Sequence, residues 1–285
     1  MLADIRYVRL GTRNLDAASR FVCDVVGLDP AGREPGARYF ASDARDYTLV
    51  YVEGDPREHA TGFDVADLDA LQAAAASLDR ADVPVAAGTR NECDQRRIDA
   101  FVHFRDPTGN RIELAVGPRP KGDERTSVRE RGITGFSHIG LRSNDPARDE
   151  KFWTGNLSAR VSDRIGTSPL LRIDEVHHRI ALFPSTYAGV QHVNHQVASI
   201  DDVMRAWYRL RAANVRIVFG PGRHPTSGAV FLYFEGHDGM VYEYSTGVRR
   251  IGADEEATHA PRDFPMAPES FCMWGSRPDI PEFRR

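Results

Sequence analysis

His138, His192, His195 and Glu243, in the second half of this sequence, carry donor types of a metal site, and which of them can act together depends on the element each one sits on. QHVNHQVAS (Gln191–Ser199) holds His192 and His195, three residues apart. On a helix such a pair shares a face, whereas on a strand its members point to opposite sides. The stretch alternates as a strand, so His192, Asn194 and Gln196 face one way and Val193, His195 and Val197 the other. His138 lies on the polar side of its strand, opposite Ile139 and Leu141, and Glu243 alternates with Tyr242 and Tyr244. Two histidines and a glutamate on three separate strands leave half of a coordination sphere open. That is the facial arrangement suited to non-haem Fe(II) and dioxygen chemistry. Each residue alone has a plainer reading: a lone strand histidine is more often structural, and Glu243 could be a solvated carboxylate. Zinc takes the same donors, although a hydrolytic zinc site usually brings a short recognisable motif. His177 reads as solvent-facing or structural, and His237, in a turn, as exposed.

The elements that would position these residues come in two copies. IRYVRLGTRNLDAASRFVCDVVGL, from Ile5, aligns without a gap on FSHIGLRSNDPARDEKFWTGNLSA, from Phe136, at an offset of 131. YTLVYV matches HRIALF at the same offset, FDVADLDALQAAAASLDRADV matches HQVASIDDVMRAWYRLRAANV at 132, and FVHFRDPTGNRIEL matches FLYFEGHDGMVYEY at 130. Four blocks in register indicate an internal duplication. Each half reads as a strand, a helix and further strands, the last pair a hairpin across DPTGN or GHDG. Ser199 caps a helix whose Val203, Trp207 and Leu210 share a face. The expected architecture is α+β, two homologous domains of paired βαβββ modules, each forming a curved mixed sheet around a cavity. Their bounds are 1–118, a polar linker 119–131, 132–249, and an irregular proline-rich tail 250–285 whose Phe271, Met273 and Trp274 pack on a surface or site mouth. At 285 residues, two domains with separate cores are expected.

The duplication isolates the chemistry. His138, His178 and His192 stand opposite Tyr7, Tyr47 and Ala60, while Glu243 stands opposite Glu113, itself readable as a solvated strand carboxylate. A site therefore belongs to the second half, and His195, matching Phe63, reads as a core residue packed beneath the helix.

Composition excludes other classes. A formal net charge of −4 provides no basic field for nucleic acid, and no apolar run approaches the ~18 residues of a membrane helix. No export signal opens the chain. Three widely spaced cysteines without a CxxC pair argue against a disulfide framework or thiolate zinc site and suit a reducing cytoplasm.

These residues resemble a known group. The paired modules look like the vicinal oxygen chelate superfamily, and the second half resembles its type I extradiol catechol dioxygenases, most specifically in HHRIALFP, QHVNHQVASIDDV, GPGRH and FLYFEGHDGMVYEY. The resemblance runs to about Val248 and implies Fe(II), with Mn(II) the alternative, held by His138, His192 and Glu243. It also implies a catalytic histidine at His178, a tyrosine at Tyr233, ten residues before the glutamate, and a further histidine at His224. The first half would be a vestigial domain without metal. Where many relatives carry an acidic residue between that histidine and tyrosine, this chain has Ser227 and Gly228. The implied partners are a catecholic substrate, such as a 2,3-dihydroxybiphenyl-like compound, and O2, in a homo-oligomer. Competing readings are a glyoxalase-like isomerase or epimerase, or a metal-free binding protein.

Overall fold

The structure, a computed structural model, describes residues 1–117 and 132–283, so the expected linker 119–131 lies outside the described residues. The first half runs β1 (Asp4–Thr12), α1 (Leu15–Arg20), β2 (Asp29–Glu34), β3 (Ala37–Ala41), β4 (Leu49–Glu53), β5 (His59–Asp64), α2 (Leu68–Arg80), β6 (Ala86–Ala87), α3 (Arg90–Arg96), β7 (Ala100–Arg105) and β8 (Arg111–Val116). The second runs β9 (Ile133–Ser143), α4 (Pro146–Leu157), β10 (Arg160–Ile165), β11 (Ser168–Arg172), β12 (Ile180–Pro184), β13 (Gly189–Val197), α5 (Ile200–Ala212), β14 (Ile217–Arg223), β15 (Val230–Glu235) and β16 (Val241–Thr246). The sheet orders β2-β3-β4-β1-β5-β8-β7-β6 and β10-β11-β12-β9-β13-β16-β15-β14 are the same order written twice. Among the described residues α3 has no counterpart in the second half, and the second sheet carries one further strand outside β10.

Local chemistry explains why these segments form. Asn14 and Asp145 cap α1 and α4 by accepting from Ala17 N and Arg148 N. Ser199 accepts from Asp202 N at the start of α5, where Asp201 and Asp202 in the first turn and Arg209 and Arg211 in the last oppose the helix dipole. Val203 and Leu210 are buried on one face of α5, with Trp207 partly buried against the same core. In β13 every residue but Gln196 is buried, so both faces of this central strand are covered.

The core differs from the expected pair of separate cores. One continuous apolar cluster takes residues from both halves, with Phe63 edge-on to Trp153 at 5.6 Å and the Tyr51 and Tyr242 hydroxyls bonded at 2.9 Å. Like faces of the two sheets are therefore buried against each other, which leaves the opposite face of each available for a cavity.

The tail is more ordered than its prolines suggest. It adds α6 (Ala253–Glu256), β17 (Arg262–Phe264), which extends the second sheet beside β10, and α7 (Pro268–Phe271). Phe271 is buried as expected, but Met273 and Trp274 are exposed at 62% and 53%. The apolar contacts come instead from Ile280 and Phe283, which join Phe183, Phe219 and Tyr233 in a second cluster.

Candidate metal centre

Three neighbouring strands bring His138, His192 and Glu243 to one point. β9 pairs with β13, and β13 with β16, with Asn194 placed across from His138 on one side and Glu243 on the other. All three side chains are buried, and their ligand atoms lie within 4.8 Å of one another. His138 Nε2 is 3.0 Å from His192 Nε2, and Glu243 Oε2 is 3.0 Å from the former and 3.4 Å from the latter. Adjacent donors around an octahedral cation with bonds of about 2.1 Å are separated by about 3 Å, so the cluster has the spacing of one face of such a shell. Glu243 Oε2 is buried and accepts no hydrogen bond among the described residues. A buried carboxylate oxygen aimed at two imidazole nitrogens without bonding to either is a donor waiting for a cation.

The surroundings prepare these atoms to act as ligands. Gln191 Oε1 meets His192 Nδ1; a carbonyl only accepts, so Nδ1 carries the proton and Nε2 presents its lone pair to the cluster. Burial pushes the His192 imidazolium down to about 3, keeping the ring neutral. Burial alone would raise the Glu243 carboxyl, but His138, His224 and His192 more than reverse this and hold it well below the usual carboxylate range. A neutral imidazole beside a carboxylate suits an Fe(II) or Mn(II) shell.

His195 points into the other face, buried against Phe136 at 6.0 Å and stacked on Tyr242 at 6.5 Å. Neither of its ring nitrogens has a hydrogen-bond partner among the described residues.

The other three expected site residues surround the cluster. The His178 ring lies 4.3 Å from that of His138, and the Tyr233 ring 5.3 Å from that of His192. His224 Nδ1 donates to Phe271 O at 2.8 Å, turning Nε2 toward the Tyr233 hydroxyl at 3.3 Å and Glu243 Oε1 at 3.6 Å. Burial, then the Glu243 charge, pushes the Tyr233 phenol well up, so it stays protonated and can donate.

Behind His178 runs a hydrogen-bond chain absent from the sequence reading. His177, open to a solvent-facing reading, is fully buried; its Nε2 meets Asp163 Oδ2 at 2.9 Å and its Nδ1 meets His178 Nδ1 at 3.1 Å. Although burial opposes it, bonds from His177 and Arg262 hold the Asp163 carboxyl down at about 2, so Asp163 only accepts and His177 Nε2 carries hydrogen. Burial keeps the His177 imidazolium below its usual range, the Asp163 charge opposing. The neutral ring therefore accepts at Nδ1, His178 donates from its own Nδ1, and the unprotonated nitrogen of neutral His178 is Nε2. Burial, aided by His138 and His177, pushes the His178 imidazolium well down. The arrangement fixes the tautomer of His178 and leaves its Nε2 lone pair free to accept a proton. HH at 177–178 was the available signal; Asp163, on another strand, carried none.

The equivalent place in the first half is filled differently. Glu113 is fully buried, not the solvated carboxylate its strand position allowed. It accepts from Tyr7 Oη at 2.8 Å and takes a two-pronged ion pair from Arg96 at 2.7 Å in both contacts. Burial raises its pKa, but Arg96, Tyr7 and Arg111 bring it down to about 2. A guanidinium from α3 thus occupies the charge position that the second half leaves open, and Ala60 stands where His192 would be.

Fold and site together define the class. The profile of the Glyoxalase/Bleomycin resistance protein/Dioxygenase superfamily matches residues 4–114 and 135–244, and the chain belongs to that superfamily. Within it the chain is similar to the biphenyl-2,3-diol 1,2-dioxygenase of Pseudomonas sp. (strain KKS102), 27% identical over 95% of this chain and 96% of that protein. It is also similar to the iron-dependent extradiol dioxygenase of Rhodococcus jostii (strain RHA1), 24% identical over 88% and 91%. Among solved structures it superposes on the Mn(II)-bound glyoxalase from Novosphingobium aromaticivorans with a TM-score of 0.84 and 27% identity, covering 100% of this chain and 94% of that one. A halotolerant catechol dioxygenase, 22% identical over 99% and 97%, shares the fold at a TM-score of 0.87. No helix of the described residues is long and apolar enough to cross a membrane.

Proposed function

We propose that this protein is an extradiol dioxygenase that opens a catecholic ring beside its two hydroxyls, using Fe(II) held by His138, His192 and Glu243. The observation that carries the reading is the unbonded Glu243 Oε2 facing two Nε2 atoms, with His178, Tyr233 and His224 gathered around it. The similarity to curated extradiol dioxygenases along nearly the whole chain supports it.

A bound Fe(II) would supply a common holding point for the substrate oxygens and O2 and a route for electrons between them. The remaining work falls to this chain. His178 Nε2 accepts a proton from a substrate hydroxyl and later returns it, while His177 and Asp163 hold its tautomer. The Tyr233 hydroxyl, kept protonated, donates a hydrogen bond to a substrate oxygen as charge develops there, and His224 Nε2 orients that hydroxyl. Phe183, 5.9 Å from His192, and Phe283, packed on Phe183 at 4.7 Å, supply aromatic walls that suit an aryl ring and exclude water. A 2,3-dihydroxybiphenyl-like or otherwise substituted catechol is the proposed substrate.

The similarity to an Mn(II)-bound glyoxalase favours a second reading, an isomerase on a chelated substrate. Anaerobic purification, iron and manganese analysis, and spectrophotometric assay with 2,3-dihydroxybiphenyl and simpler catechols separate the two. Iron with yellow ring-opened product is expected, and His178→Ala should keep the iron while losing turnover by about 10²-fold or more. An iron-loaded protein that turns over no catechol would refute the proposal.

A further inference from the structure

A cavity of about 490 Å3 opens on the first half, on the sheet face that corresponds to the metal centre of the second. Five arginines line it, Arg9, Arg57, Arg96, Arg105 and Arg111, against one carboxylate, Glu58. Ala60, at the position of His192, is part of the wall.

The arginines are not all neutralised. Glu113 takes Arg96 and Arg111, and Asp55 takes Arg57. Arg105 donates to Gly109 O and, like Arg9, has no carboxylate partner among the described residues. Arg9 also buries its Nη1 without a hydrogen-bond partner among them. Two guanidinium groups without a carboxylate partner on one cavity repel each other, the buried Arg9 Nη1 also loses hydration, and a bound anion relieves both costs.

The fold does not require this charge. In the second half Arg9 is replaced by Gly140, Arg111 by Val241 and Arg105 by Glu235 at the matching strand positions, and the same sheet forms. Leu10, Val52 and Ala60 add small apolar surface to the same cavity, so its chemistry suits an organic anion better than an inorganic one.

We infer that the first half, although its chelating residues are gone, keeps its cavity as a binding site for a small organic acid whose carboxylate or phosphate is gripped by Arg9 and Arg105. Guanidinium groups match either oxyanion through paired N–H donors. The site is distinct from the metal centre, and the inference stands whether or not that centre cleaves catechols.

Calorimetric titration of the full-length protein with benzoate and with phenyl phosphate tests it, with inorganic phosphate and sodium chloride at matched ionic strength as controls. Saturable binding of one organic probe is expected, tighter than inorganic phosphate and surviving the chloride control. The probe that binds tells carboxylate from phosphate. Arg9→Gln and Arg105→Gln should each weaken it about tenfold, the loss of one charge-assisted hydrogen bond, with iron content and any catechol turnover unchanged. Arg105 is exposed, so its variant reports even if Arg9→Gln fails to fold. Absence of saturable binding at millimolar probe, inorganic phosphate binding as tightly, or binding unaltered in the folded variants would overturn the inference.

Discussion

The histidines of this chain divide by what their second nitrogen meets. His192 has Gln191 behind it and presents Nε2, whereas His195 has nothing at either nitrogen among the described residues. Burial holds the His195 imidazolium down at about 3. Its folded value is below its unfolded one, so the unfolded chain binds more protons between about pH 3 and 6.5, and stability falls as pH drops through that window. His195→Phe, restoring the residue type of Phe63, should therefore raise stability by about 1–3 kcal/mol and flatten its acid dependence, read from urea midpoints at pH 7 and pH 5. An unchanged midpoint at both would show that the buried ring costs nothing. The Asp163–His177–His178 chain makes a different prediction. Asp163→Asn keeps shape but removes the charge that sets the His177 tautomer, so kcat should fall about tenfold or more with iron retained and the pH–rate profile displaced. Unchanged kcat would leave the chain a packing feature. The alternation of QHVNHQVAS was enough to separate His192 from His195, but the chain behind His178 was not legible because its carboxylate lies on β10, 14 positions away in sequence.

At the level of elements, an insertion and an appendage decide how the two halves differ. Among the described residues helix α3 occurs in the first half alone and delivers Arg96, and repeat matching could not reveal a residue that has no counterpart. Arg96→Ala leaves Glu113 buried with its charge largely unpaired and should cost about 3–5 kcal/mol in a denaturant titration; a loss under 1 kcal/mol would mean Arg111 and Tyr7 suffice. The tail reaches the second site at several points. Arg262 N and Nη2 donate to Asp163 at 2.9 and 2.5 Å, Phe271 O holds His224, and Glu282 pairs with Arg142 at 2.7 Å. Phe283 closes the aromatic cluster against Phe183 and Tyr233. Phe283→Ala should lower stability by about 3 kcal/mol and raise KM for an aryl-substituted catechol more than for catechol itself; equal KM changes would remove Phe283 from the substrate wall. Proline-rich composition suggested an irregular segment because tertiary bonds, not local propensity, order it.

Across the whole molecule, one ancestral sheet order serves two electrostatic solutions to the same buried carboxylate. Glu113 is balanced by a covalently attached cation, and Glu243 faces two imidazole nitrogens with an oxygen to spare. The duplication, the hairpins and the Ser199 cap were legible in the sequence because each depends on periodicity or on matched positions, and the His138, His192 and Glu243 set was legible through the resemblance of its motifs to a known family. The shared core and the arginine-lined cavity were not, since they depend on how two sheets face each other. The spare oxygen and the two Nε2 atoms are placed to hold a redox-active metal. The most direct test of that role is the iron content of anaerobically purified protein, measured in the wild type, His192→Ala and His195→Ala. Stoichiometric iron in the wild type and His195→Ala, with loss in His192→Ala, is the predicted result. Iron absent from the wild type after anaerobic reconstitution, or lost on substituting His195 but kept without His192, would contradict the account.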